Sequence, residues 1–143
     1  MTRFRFRLQR ILDWQQRVYQ MEDEKLRQRL AEAAATQEKL AELAAKSLAI
    51  EQEFLHEPQI AAADLKALAE FRRKTNGERH RLGKDLAARQ GAVAEQREKL
   101  LLEKRKLQVY ERLRLKALAA HTQAADRELE ALGLESFLAH FPR

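Results

Sequence analysis

Pro58 constrains this chain more than any other residue. It is the only proline ahead of the penultimate position, and no glycine precedes Gly77. On both sides of it the sequence reads as long, charged, amphipathic helix. Proline has no amide hydrogen to donate and disfavours helical geometry at the residue before it, here Glu57. One break in an otherwise helical chain predicts an all-α fold, an antiparallel two-helix coiled-coil hairpin. The break is off centre, so the second helix must be the longer. The expected layout is a single coiled-coil rod over 1–143. Helix 1 covers about 5–54, a turn about 55–61, helix 2 about 62–132, and a short apolar tail 134–143.

Composition agrees with a rod. Charged residues make up 35% and aromatics 6%, so bulky apolar residues suffice for a seam and not for a globular interior. There is no cysteine, which excludes disulfides and thiolate metal sites. No apolar run approaches the roughly 20 residues of a membrane span. The N-terminal stretch MTRFRFRLQRIL lacks the continuous apolar core of a secretory signal. It is arginine-rich and nearly acid-free, as transit peptides are, but lacks their serines. A net charge of +6 points to acidic partners: nucleic acid, anionic lipid or an acidic protein surface.

The seam can be followed by spacing. Arg3 to Arg7 alternates with Phe4 and Phe6 at a period of two, the pattern of an extended segment. Helical spacing begins at Leu8. It runs through Ile11, Leu12, Val18 and Tyr19, with an expected stutter at Val18, Glu22 and Leu26. Leu30, Ala33, Gln37, Leu40, Ala44, Ser47, Glu51 and Phe54 complete the first stripe. Asp64 is a candidate N-cap for the second helix. From Leu65 a 3-4 spacing continues to Tyr110, with Leu86, Val93, Leu100 and Leu107 in one heptad position. The alternate position holds Arg89, Gln96 and Glu103, which makes the seam polar and pliable. Gly77, Gly83 and Gly91 interrupt this helix, either as tolerated surface glycines or as a bendable, closely approached segment. Gly133 suits the position just past a helix end.

Folding the chain at Pro58 sorts its charge. Helices meeting evenly across the turn would set Arg10 near Lys106 and Phe4 near Arg112, leaving residues beyond about 116 without a partner. Arg3, Arg5, Arg7, Arg10 and Arg17 then converge with Lys104, Arg105, Lys106, Arg112 and Arg114. Glu51, Glu53 and Glu57 lie at the opposite end. The candidate partner-binding tip therefore comprises Arg3, Phe4, Arg5, Phe6, Arg7, Arg10, Trp14, Lys104, Arg105, Lys106, Tyr110, Arg112 and Arg114. Next to it Leu118, Leu129, Leu132, Phe137 and Phe141 form an apolar overhang, which marks an interaction site or a tail folded back on Phe4, Phe6 and Trp14.

Catalytic signals are missing. His56, His80, His121 and His140 share no ligand spacing, so no metal site is expected. There is no phosphate-binding glycine loop, and neither Ser47 nor Ser136 lies in a nucleophile elbow. No catalytic residue and no cofactor is expected, and the chain does not read as an enzyme.

One resemblance adds to this reading. Residues 4–12, FRFRLQRIL, two long helices, and residues 106–114, KLQVYERLR, occur together. This set resembles the FliJ family, the small coiled-coil component of the bacterial flagellar type III export apparatus. The resemblance implies an antiparallel coiled coil like the stalk of rotary ATPases. It implies that the terminal end enters the hexameric export ATPase FliI and promotes ring assembly. It further implies contacts with the export-gate protein FlhA and with export chaperones, at the cytoplasmic face of the inner membrane. The injectisome stalk of the YscO type has a similar build. Two readings from the residues compete. One is a basic nucleic-acid-binding coiled coil, supported by charge alone. The other is a peripheral membrane helix inserting Phe4, Phe6 and Trp14.

Overall fold

The computed structural model describes residues 2–141. They form two helices, α1 (Gln9–Leu55) and α2 (Ala62–Ala139), with no strand among the described residues. The fold is all-α, an antiparallel helical hairpin whose second helix is much the longer.

The four helix ends follow from local chemistry. Helix α1 begins at Gln9, later than the expected residue 5. Residues 2–6 instead keep the period of two: Phe4 and Phe6 are half-buried, while Arg3, Arg5 and Arg7 are exposed. An extended strap lets two aromatics turn inward and three guanidiniums outward, which a helix start could not do. The first bonds of the helix are Gln9 N–H to Phe6 O (3.1 Å) and Leu12 N–H to Leu8 O (2.9 Å). At the far end α1 tightens, with His56 N–H shared between Gln52 O and Glu53 O and Glu57 N–H reaching Phe54 O. Pro58 ends it there. Helix α2 starts at Ala62, with Asp64 N–H and Leu65 N–H both donating to Ala61 O. Asp64 is thus inside the first turn and not the cap; its carboxylate complements the helix dipole from that position. At the C-terminus α2 passes through Gly133 and ends at Ala139, so the expected break and separate tail do not form. No glycine among the described residues has a positive φ, and a glycine with helical φ simply continues the helix. Pro142 and Arg143, the end of the expected tail, lie outside the described residues.

The contacts divide the chain into two units, Asp23–Lys99 and Met1–Glu22 with Leu100–Arg143. The first holds the turn. Its seam on α1 is Leu26, Arg29, Ala33, Thr36, Leu40, Leu43 and Ser47, all buried or half-buried. Leu30, Gln37 and Ala44, expected in the seam, face solvent; the helix uses Arg29, Thr36 and Leu43, one residue earlier in each case. On α2 the buried side is Thr75, Leu82, Leu86, Arg89, Val93 and Gln96, matching the spacing read from sequence. Arg89 bonds Glu32 at 3.3 Å and Arg72 bonds Glu51 at 3.0 Å across the pair. Leu65 and its neighbours at the start of α2 remain exposed, and Phe54 shares a hollow with Leu68 and Phe71. Pairing therefore begins one to two turns into α2.

In the second unit the seam is Leu8, Leu12, Gln15, Tyr19 and Glu22 on α1, against Leu100, Glu103, Leu107, Tyr110, Arg114 and Ala117 on α2. The steps on α1 are a regular 4-3-4-3, so the expected stutter is absent: Gln15, 2% exposed, fills a seam position that an apolar pattern overlooks. The register also differs from expectation. Gln9 meets Arg114, and Phe4 meets His121, where Lys106 and Arg112 were expected as the local partners of Arg10 and Phe4. The late start of pairing on α2 accounts for the shift of more than one helical turn.

Candidate functional site

The unit that carries both termini holds most of the basic residues singled out in the sequence. Its centre is a polar layer between α1 and α2. Gln15 Nε2 donates to the Glu103 carboxylate at 2.5 Å and to the Glu103 carbonyl at 3.2 Å. Lys106 Nζ also bonds the carboxylate, at 3.2 Å. The Gln15 hydrogen bond holds the Glu103 carboxyl below its ordinary pKa, with Lys106 assisting and partial burial opposing. The layer pins the two helices in one register, because a glutamine and a carboxylate buried off register would lose their partners.

The strap Arg3–Arg7 lies against the next two turns of α2. Phe4 packs edge-on to His121, with ring centres 5.4 Å apart, and His121 Nε2 is 3.0 Å from the Thr2 carbonyl. Arg114 Nε donates to the Gln9 side chain at 3.2 Å. Two open grooves result, one on each side of the strap. One, of about 480 Å³, is bounded by Arg3, Arg5, Gln9, Arg10 and Arg114. The other, of about 490 Å³, is bounded by Phe6, Leu8, Leu113, Ala117 and His121. Both are shallow, and neither assembles an acid, a base and a nucleophile. What they offer is guanidinium and aromatic edge to a polar, negatively charged surface.

The sequence-predicted residues divide on this geometry. Arg3, Phe4, Arg5, Phe6, Arg7, Arg10 and Arg114 come together at the grooves. Lys104, Arg105 and Arg112 are exposed on α2, while Lys106 is engaged by Glu103. Tyr110 is half-buried in the seam, and Trp14 is 60% exposed outside both grooves. Leu118 is half-buried and so does not belong to the overhang. Leu129, Leu132, Phe137 and Phe141 do, at 51–63% exposed, and Phe137 touches Phe141 at 5.1 Å between ring centres. The overhang continues as helix and leaves Trp14 uncovered, so the tail does not fold back. Gln9, Leu113, Ala117 and His121 were not picked out as site residues. Extending the α2 heptad from Tyr110 through Arg114 would have found Ala117 and His121.

Among the described residues no group of histidines and carboxylates could hold a metal ion, and no helix is long and apolar enough to cross a membrane. Comparison with protein-family models, with curated proteins and with solved structures finds no match.

Proposed function

We propose that the chain is a non-enzymatic stalk of the bacterial flagellar type III export apparatus. In this reading its arginine-rich end enters the hexameric export ATPase FliI and promotes assembly of the ring. The observation that carries it is the meeting of the Arg3–Arg7 strap with Arg114 and the neighbouring turns of α2, which gathers guanidiniums from distant parts of the sequence. Basic grooves with aromatic edges suit an acidic ring lining, where complementary charge sets approach and orientation. The resemblance of residues 4–12 and 106–114 to the FliJ family supports the same reading. Contacts with FlhA and with export chaperones, and a place at the cytoplasmic face of the flagellar base, belong to the proposal. The YscO-type injectisome stalk is the same mechanical role beside a different ATPase.

The test is ATP hydrolysis by FliI with and without the chain. Arg3, Arg5 and Arg7 are changed to Glu together with Lys104 and Arg105; Lys106 is spared because it bonds Glu103. Stimulation is expected to disappear while helicity by circular dichroism is kept. Undiminished stimulation by the reversed chain removes the tip assignment. Stimulation of an injectisome ATPase alone moves the chain to that system.

A further inference from the structure

Outside the two grooves, the same unit leaves an apolar face open. On α1, Ile11, Trp14 and Met21 are 41%, 60% and 60% exposed. Their spacing of three and seven places them on one stripe of the helix. On α2, Leu102, Val109 and Leu113 are 55%, 54% and 42% exposed, at spacings of seven and four. Each stripe borders the seam. They border it on the same side: Leu113 shares a groove with Leu8, three residues before Ile11, whereas Gln9 and Arg114 line the other groove. The register fixed by Gln9–Arg114 and Gln15–Glu103 sets Ile11 level with the Val109 turn. Two helices thus present a common apolar channel of the width a third helix fills. Basic residues run along its outer edges: Arg10 and Arg17, each four residues before a member of the α1 stripe, and Arg105 and Arg112 beside Val109.

The complementary element is on the page as well. The overhang of α2, 122–141, carries Asp126, Glu128, Glu130 and Glu135 against Arg127. Leu129 and Leu132 form a stripe with those acids on either side, and Phe137 and Phe141 follow within three turns. It is the acidic, apolar helix that a basic, apolar channel recognises.

We infer that two copies of this chain associate about a two-fold axis near Ala124, each overhang lying against the Ile11, Val109 and Leu113 end of the other's channel. Antiparallel placement of two α2 helices about that point sets Phe137 of one copy beside Leu113 of the other. Glu130 then lies beside Lys116, and Glu135 beside Arg112. The contact is isologous, so it closes as a dimer and does not propagate. It covers the termini-bearing end of both copies, so a dimer and a partner bound at that end exclude each other. The inference stands on exposure and charge, independently of the stalk reading.

Sedimentation equilibrium of the full chain over a wide concentration range tests it, with salt varied. A monomer–dimer equilibrium is expected, weakened at least tenfold in Kd between low and high salt because the flanking contacts are ionic. Changing Glu130 and Glu135 to Lys, or Arg112 and Lys116 to Glu, is expected to abolish the dimer in each chain alone. Mixing the two variants restores a heterodimer. The chain has no cysteine, so single cysteines report the geometry: Ala124→Cys is expected to cross-link to itself, and Asn76→Cys is not. A wild-type chain that stays monomeric at high concentration overturns the inference. So does a dimer that cross-links through Asn76→Cys, or a monomer that instead floats with anionic phosphatidylserine vesicles.

Discussion

Glu103 is the residue whose protonation the fold feels most directly. Its folded pKa lies below the ordinary carboxylate value, first through the Gln15 hydrogen bond. The sign follows: the stabilisation is complete above the unfolded pKa and is lost as pH falls through the folded one. Glu103→Gln is therefore expected to melt somewhat lower than the wild type at pH 7, with the gap closing in acid. Melting temperatures of both chains across pH 3–7 check this, and parallel curves would remove the Glu103–Gln15 layer as the cause. Arg29 makes the opposite case. It is half-buried in the α1 seam and its Nε has no hydrogen-bond partner. A buried donor left unbonded costs roughly 1–3 kcal/mol, so Arg29→Met is expected to stabilise the chain by about 1 kcal/mol in urea titration. These residues also mark where sequence reading stopped. Four of the six buried residues among those described, Gln15, Thr36, Thr75 and Gln96, are polar. Thr75 and Gln96 fell on the α2 spacing and were found. Gln15 and Thr36 were missed: the expected α1 pattern passed from Leu12 to Val18 over Gln15, and Gln37 took the place of Thr36 as Leu30 took that of Arg29.

At the scale of the element, α2 is continuous through Gly77, Gly83, Gly91 and Gly133. None has a positive φ, and a Cβ built at any of them meets no atom within 4 Å. Close backbone approach is thus not what these glycines serve. Alanine fits each site, favours helix by roughly 1 kcal/mol and narrows the unfolded ensemble. Each of Gly77→Ala, Gly83→Ala and Gly91→Ala is expected to add about 0.5–1 kcal/mol to stability, measured by urea denaturation. A loss at any of them would mean that the segment bends in solution. Helix identity and the α2 seam were legible because fourteen heptad-spaced positions from Leu65 to Tyr110 repeat the same signal. Helix ends were less so. Gly133 looked like a stop by residue type, but a glycine ends a helix only when its backbone turns left-handed. The α1 start was misplaced because the strap's aromatic–arginine alternation outweighs the helical propensity of its residues, a contest decided by packing on α2.

Taken whole, the molecule exposes far more surface than a compact protein of its mass. Its accessible area is 12091 Å². A folded globular chain of 16.7 kDa would expose about 7,600 Å², and the unfolded chain about 24,000 Å². Folding therefore buries about three-quarters of the area that a compact domain of equal length would bury. Denaturant sensitivity scales with that area, so the urea m-value of the monomer is expected at about three-quarters of the compact-domain value. The antiparallel register explains why Leu113, Ala117 and His121 on the α2 side of the site were not foreseen, while the strap arginines and phenylalanines, Arg10 and Arg114 were. With a seam one residue wide, a shift of about two and a half turns brings His121 rather than Arg112 to Phe4, and no local pattern records that choice. The same measurement bears on association. Burying the open channel and the overhang adds area that the isolated chain leaves in water. The m-value is then expected to rise with protein concentration, together with the transition midpoint, as mass action favours the associated folded state. Titrations monitored by circular dichroism at widely separated protein concentrations check both expectations. An m-value already at the compact-domain level in dilute solution would mean that the single chain buries surface this hairpin leaves open.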